Sequence, residues 1–297
     1  MATDIDQWLK NNTHDLQGKV VVMTGATGGL GRHVVRDLLK CNAKIIMLDR
    51  DMATMNDFSN QLRNEFPQAQ IENIVIDLNQ IRSVDAAVEQ LIDQNIDFLI
   101  LNAGVYKVPV VNSQLGYNNV FQINFISQYY LVQQLLPALQ RTNGKVVAVT
   151  SLAYNYGKLN EDDIDYSKQA KHASKVYGNA KRFLTLALSE FFQDRDDVRL
   201  ALVHPGITLT PLTNSKHNGL TALTMKLLFP RPEKAALNIM HGVFTDIACD
   251  EWIGPKVAKI WGVPTVSKLP VATAEERAKI YNLAENICKL IEKSAMF

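Results

Sequence analysis

The feature that most constrains the fold is a regular alternation of short, β-branched apolar runs with longer stretches of helical spacing. The runs are Lys19 to Met23, Lys44 to Leu48, Ile71 to Ile76, Phe98 to Leu101, Lys145 to Val149 and Arg199 to Val203. Between them, Leu30 to Cys41, Met55 to Phe66, Val84 to Asp93, Asn119 to Leu139 and His172 to Phe192 repeat apolar residues every three or four positions, as amphipathic helices do. Runs such as VVVM, IIML and FLIL are near-continuously apolar, the pattern of parallel strands covered on both sides. The alternation predicts an α/β fold, a single-domain Rossmann-type, doubly wound parallel sheet with helices on both faces. In such a sheet ligands sit beyond the carboxyl ends of the strands, so the residues following each run are the functional candidates.

With 297 residues, 47% of them hydrophobic, the chain can bury a substantial core, and no linker or repeat divides it. One domain over 1–297 is expected, with an N-terminal extension over 1–17. A C-terminal helix is expected over 273–295, with an apolar face of Ile280, Leu283, Ala284, Ile287, Leu290 and Ile291. Thirty-one basic against thirty acidic residues leave a net charge of +1, too small to draw in nucleic acid or an anionic membrane. The first residues carry Asp4, Asp6 and Asp15 and do not read as a secretory signal. No run reaches the roughly 20 apolar residues of an integral membrane segment, so a cytoplasmic protein with small-molecule partners is expected. Cys41, Cys249 and Cys288 lack CxxC or Cys/His spacing and read as reduced thiols, and the six histidines have no metal-ligand spacing; no metal site is expected.

Directly after the first run comes Thr24-Gly25-Ala26-Thr27-Gly28-Gly29-Leu30-Gly31, followed by a helical stretch. Glycines there permit a tight turn and close approach of backbone N–H groups to a pyrophosphate, while the helix N-terminus supplies partial positive charge. Asp49 ends the second run, 24 residues after Gly25, where a carboxylate accepts hydrogen bonds from an adenosine ribose and repels a 2′-phosphate. Arg50 follows and could pair with that phosphate, so the neighbours argue in opposite directions on NAD against NADP. Asp49 tips the expectation to NAD. Tyr177 and Lys181, four residues apart, share one helix face. An adjacent ammonium favours the phenolate and brings a tyrosine towards general acid/base work.

Three further signatures stand at the expected places: Asp77-Leu78 after the third run, Asn102-Ala103-Gly104 after the fourth, and Ser151 after the fifth. In this order and spacing the chain resembles the short-chain dehydrogenase/reductase family from Lys19 to about Trp261. The resemblance implies an NAD(P)-dependent oxidoreductase moving hydride between the nicotinamide and a carbonyl or alcohol carbon. Tyr177 would exchange the proton at the substrate oxygen and Ser151 would hydrogen-bond that oxygen. Lys181 would hold the nicotinamide ribose and lower the Tyr177 pKa, with Asn124 anchoring a water that links Lys181 to solvent. Asp77, with Leu78 beside it, would meet the adenine, while Asn102, Ala103 and Gly104 border the cofactor. Pro205-Gly206-Ile207 and Thr210 would contact the carboxamide, with His204 a structural neighbour.

Gly28 also fits the glycine spacing of the extended branch, so a nucleotide-sugar-type epimerase or a non-catalytic cofactor-binding regulator stands as the alternative. Asn102-Ala103-Gly104 and the Pro205 to Thr210 segment favour the reductase branch. Ser151 and Tyr177 are 26 residues apart, roughly twice the family's usual separation. The polar insertion Lys158 to Lys171, with Trp252 to Pro255 and Trp261 to Pro264, is similar to retinol-dehydrogenase-like and protochlorophyllide-reductase-like members. Residues 207–230, rich in leucine, read as a lid over an apolar pocket or as a packing element. A homo-oligomer, dimer or tetramer, built through the long helices near Asn124 and Tyr177, is also implied by the resemblance.

Overall fold

The structure is a computed structural model and describes residues 4–207 and 230–295. In chain order the elements are α1 (Asp4–Asn12), β1 (Val20–Thr24), α2 (Gly31–Lys40), β2 (Lys44–Asp49), α3 (Met52–Glu65), β3 (Ile71–Val75), α4 (Ile81–Leu91) and β4 (Phe98–Leu101). A helical turn α5 (Asn119–Phe121), a π-helical stretch (Gln122–Ile126) and α6 (Ser127–Gln140) lead to β5 (Lys145–Val149). Then come α7 (Ala173–Phe191), β6 (Arg199–Val203), α8 (Pro232–Phe244), β7 (Glu251–Val257), β8 (Trp261–Lys268) and α9 (Ala274–Ala295).

The eight strands form one sheet in the order β3-β2-β1-β4-β5-β6-β7-β8, parallel except for β8, which returns antiparallel beside β7. This is the doubly wound, Rossmann-type arrangement that the alternation predicts. The winding reverses between β1 and β4, which leaves a crevice at their carboxyl ends where no helix crosses.

Two apolar layers enclose the sheet. Val22, Leu99 and Val146 face α4, α6 and α7 through Val84, Tyr129 and Phe183. Met23, Ile45 and Val147 face α1, α2, α3 and α8 through Leu9, Val35, Phe58 and Met240. Burial on both sides is why the central runs carry no alternation.

The hairpin β7–β8 and helices α1 and α8 are additions to the elements that sequence spacing predicts. The expected helix Asn119 to Leu139 is interrupted at Gln122–Ile126, where one residue is accommodated as a π turn. In α9, Ile280, Ala284, Ile287 and Ile291 are buried as expected, whereas Leu290 is 63% exposed. Glu285 of α9 accepts hydrogen bonds from the Tyr129 hydroxyl (2.6 Å) and from Gln133 on α6, and Glu276 pairs with Arg182 of α7 at 2.6 Å. The helices that the resemblance assigns to subunit contact therefore carry the chain's own α9. Among the described residues no helix is long and apolar enough to cross a membrane. Thr210 and most of the expected lid over 207–230 lie outside the described residues.

Candidate active site

A cavity of about 500 Å³ opens at the carboxyl ends of β1, β2 and β4. Its lining includes Gly25, Thr27, Gly28, Gly29, Leu30, Asp49, Arg50, Asp77, Leu78, Asn102, Ala103 and Gly104, so most of the residues expected to bind cofactor converge on one crevice. Gly31 is buried behind the turn at the start of α2. Sequence reasoning missed Arg32, Leu48, Ile76, Val105 and Ile123, which complete the wall.

The glycine turn is built from β1 outwards. Gly25 has φ +65°, and a Cβ there would stand 2.8 Å from the Ala103 Cα, so only glycine lets the turn lie against the loop after β4. The side-chain amide of Asn102 donates to the Gly25 carbonyl (2.8 Å), and the Ala103 N–H donates to the Thr24 hydroxyl (3.0 Å). Asn102 thus fastens the turn from behind. A Gly-rich turn at the mouth of α2, bordered by backbone N–H groups, suits a dinucleotide pyrophosphate.

At the far rim, Asp49 accepts hydrogen bonds from the Thr27 N–H (3.2 Å) and hydroxyl, and its other oxygen accepts from the Arg50 N–H (2.9 Å). Arg32 donates to the Thr27 carbonyl (2.7 Å) and lies 4.5 Å from the Phe58 ring centroid. One fixed carboxylate and two guanidinium groups therefore share this end of the crevice. The Asp77 carboxylate accepts from the Asn79 N–H (2.9 Å) and from the Gln80 amide (3.0 Å), capping the approach to α4.

The second cluster lies beyond β5. Ser151 caps a 3₁₀ turn (Leu152–Tyr156) by accepting from the Ala153 N–H at 3.1 Å, and its hydroxyl is near enough to the Tyr177 phenol to favour the phenolate. The contact depends on Gly178, because any Cβ there would collide with the Ala153 carbonyl oxygen and push α7 away from the turn. We expect Gly178→Ala to destabilise the fold by about 1–3 kcal/mol, measured as a lowered melting temperature, because the obstacle is backbone that cannot rotate aside. An unchanged melting temperature would show that α7 tolerates the shift.

Burial pushes the Tyr177 phenol up to about 12, and the Ser151 hydroxyl opposes this by hydrogen-bonding the phenolate. This reverses the lowered pKa expected from the Tyr/Lys spacing. Lys181 is itself buried, its amine pulled down to about 8 by desolvation, and its Nζ donates to the Val149 carbonyl at 2.7 Å. It lies 5.9 Å from the Tyr177 ring centroid. Desolvation is the larger effect on the phenol in this protein.

Asn124 sits in the π-helical stretch with its amide nitrogen donating to the Val105 and Val120 carbonyls (3.0 and 2.8 Å) and its oxygen accepting from the Val105 N–H (3.1 Å). Its side chain clamps the loop after β4. A Cβ on Gly104 would meet the Asn124 oxygen at 2.6 Å and the Lys181 Nζ at 3.8 Å, so the crevice and the Tyr177 cluster adjoin at that glycine. Pro205, Gly206 and Ile207 stand outside the crevice lining, with Gly206 (φ +76°) against the β7–β8 turn. Burial lowers the His204 imidazole to about 3, which keeps it neutral beside the Trp252 ring at 4.4 Å, in keeping with a structural neighbour.

Residues 19–220 match the model of the short chain dehydrogenase family. The chain belongs to that family. It is 32% identical to retinol dehydrogenase 14 of Mus musculus over 70% of this chain and 66% of that protein, just under two thirds of the relative's length. It is also 29% identical to the chloroplastic short-chain dehydrogenase TIC 32 A of Brassica napus over 73% of this chain and 72% of that one. Among solved structures, a protein from Mycobacterium Paratuberculosis superposes with TM-score 0.75 at 24% identity, covering 94% of this chain and 96% of that one. L-sorbose reductase from Gluconobacter frateurii, solved with NADPH and L-sorbose, superposes with TM-score 0.61 at 19% identity, covering 79% and 92% of the two chains. Both structural likenesses concern the fold.

Proposed function

We propose that this protein transfers hydride between a nicotinamide dinucleotide and the carbon of a small apolar carbonyl or alcohol, with Tyr177 as general acid and base. The observation that carries the reading is the adjacency at Gly104 of a glycine-turn crevice and a cluster in which Ser151 and Lys181 stand beside Tyr177. The residues that line the crevice fit a dinucleotide: the turn at Gly25 to Leu30 would hold the pyrophosphate, Asp49 the adenosine ribose, and Asp77 would border the adenine. A nicotinamide bound there supplies the hydride in reduction and receives it in oxidation. Asp49, already fixed by Thr27, favours NAD; Arg32 and Arg50 on the same rim are the counterweight.

In the reducing direction Ser151 orients the substrate oxygen and Tyr177 gives its phenolic proton to that oxygen as the carbon accepts hydride. The resulting phenolate is stabilised by the Ser151 hydroxyl and by the Lys181 ammonium, then regains a proton from water. In oxidation the phenolate takes the alcohol proton. Equilibrium binding of NADH and NADPH, followed by turnover with simple aldehydes, tests the reading. Tight binding with no turnover would instead support a cofactor-binding regulator.

The pH dependence follows from the two shifts. Below about 12 the phenol holds its proton, and below about 8 Lys181 is charged, so reduction is expected to stay flat from about pH 6 to about 8 and to decline above as the ammonium is lost. Oxidation needs the phenolate and is expected to rise by up to about tenfold per pH unit over the same range. Rate profiles in both directions check this, and oxidation that is independent of pH would remove Tyr177 as the base.

A further inference from the structure

Tyr106 stands two residues beyond Gly104, on the loop after β4, and is partly exposed. Its hydroxyl lies 2.9 Å from the Ser174 Oγ, on the first turn of α7 and three residues before Tyr177. Its ring centroid is 5.2 Å from that of Tyr177, tilted by 55°. The loop bearing it is held by the Asn124 bonds to Val105, so the ring is fixed from both sides. No step of the proton and hydride transfer uses this side chain.

If the substrate oxygen binds at the Tyr177 hydroxyl, a group attached to the reacting carbon can lie against the neighbouring Tyr106 ring. A fixed aromatic face offers a flat, polarisable group offset-stacked or edge-to-face contact, and it offers a linear alkyl chain much less. We propose that Tyr106 is the specificity-determining wall of this site, favouring substrates whose reacting carbon carries a flat, unsaturated group. This rests on the hydride-transfer reading above. The tether to Ser174 makes the selection stronger, because a ring already held in place loses little freedom when the substrate arrives.

The test compares the reduction of cinnamaldehyde and hexanal by the full chain, followed as loss of reduced-cofactor absorbance. The expected kcat/KM for cinnamaldehyde is about tenfold above that for hexanal, near the upper end of what one aromatic contact supplies. Tyr106→Leu should bring the two near parity by raising KM for cinnamaldehyde alone. Tyr106→Phe, which loses the Ser174 bond and keeps the ring, should retain the preference and serves where the leucine variant does not fold. Equal reduction of both aldehydes by the unaltered protein, an equal loss with both in Tyr106→Leu, or a lost preference in Tyr106→Phe overturns the inference and leaves the hydride reading standing. Reduction of neither aldehyde, with cofactor bound, overturns the hydride reading and this inference with it.

Discussion

Tyr177→Phe is expected to lower turnover by about 10²–10⁴-fold while NADH binds within about twofold of its original affinity, because general acid–base groups contribute rate on that scale and Tyr177 is not part of the adjoining crevice's lining. The substitution is conservative where it must be. A phenylalanine keeps the ring that lies 5.2 Å from Tyr106, and Ser151 keeps its bond from the Ala153 N–H. Only the hydroxyl proposed to exchange a proton with substrate is lost. Fluorescence titration of NADH beside steady-state rates separates the two effects. Full activity in the variant would move the acid to another group, and loss of binding would show that the ring position supports the crevice as well.

The second large effect concerns the far rim. Asp49→Ser removes a carboxylate that Thr27 and the Arg50 backbone hold in one place, and leaves Arg32 and Arg50 facing the adenosine ribose end. At about 5 Å and an effective dielectric near 20, repulsion between one carboxylate charge and one phosphate charge is worth about 3 kcal/mol. Relief of part of it should tighten NADPH binding on the order of 10²-fold, while NADH weakens by about tenfold through the lost ribose hydrogen bonds. Paired titrations at one salt concentration check this, since the charge effect is screened by ions. An unchanged NADH to NADPH ratio would mean that the arginines already govern the rim and that Asp49 serves only to pin Thr27.

Most of the crevice was legible because those parts directly follow an apolar run. Gly25, Asp49, Asp77 and Asn102 come at strand ends, and burial of β1, β2 and β4 on both faces writes those strands as unbroken runs. The hairpin β7–β8 was not legible for the opposite reason. Gly254-Pro255 and Pro264 interrupt its runs; Pro264 is tolerated on β8, the edge strand, and Pro255 stands opposite it on β7, past the β6 pairing at Ile253. Helix α8 follows residues whose spacing is dominated by leucine without period. Arg32 and Tyr106 were missed although each lies within two residues of a recognised motif, since their part depends on where a side chain turns: Arg32 onto Phe58, Tyr106 onto Tyr177. The Tyr177 pKa was misjudged because sequence spacing displays the nearby cation and hides the depth of burial.

The packing of α9 onto α6 and α7 bears on the order in which the molecule assembles. The bonds that seat it join partners far apart in the chain, 156 residues for Tyr129 and Glu285 and 94 for Arg182 and Glu276. Closing such long loops is slow relative to pairing neighbouring segments, so the β1–α2–β2 unit, whose contacts are short-range, can form well before α7 is locked. The glycine turn and the Asp49 rim then precede the seating of Tyr177 in time, while the Asn102 bonds to the turn, 77 and 78 residues apart, close later. Refolding in the presence of a dinucleotide is therefore expected to be more complete than without it, because a ligand that binds only the finished crevice favours the folded state.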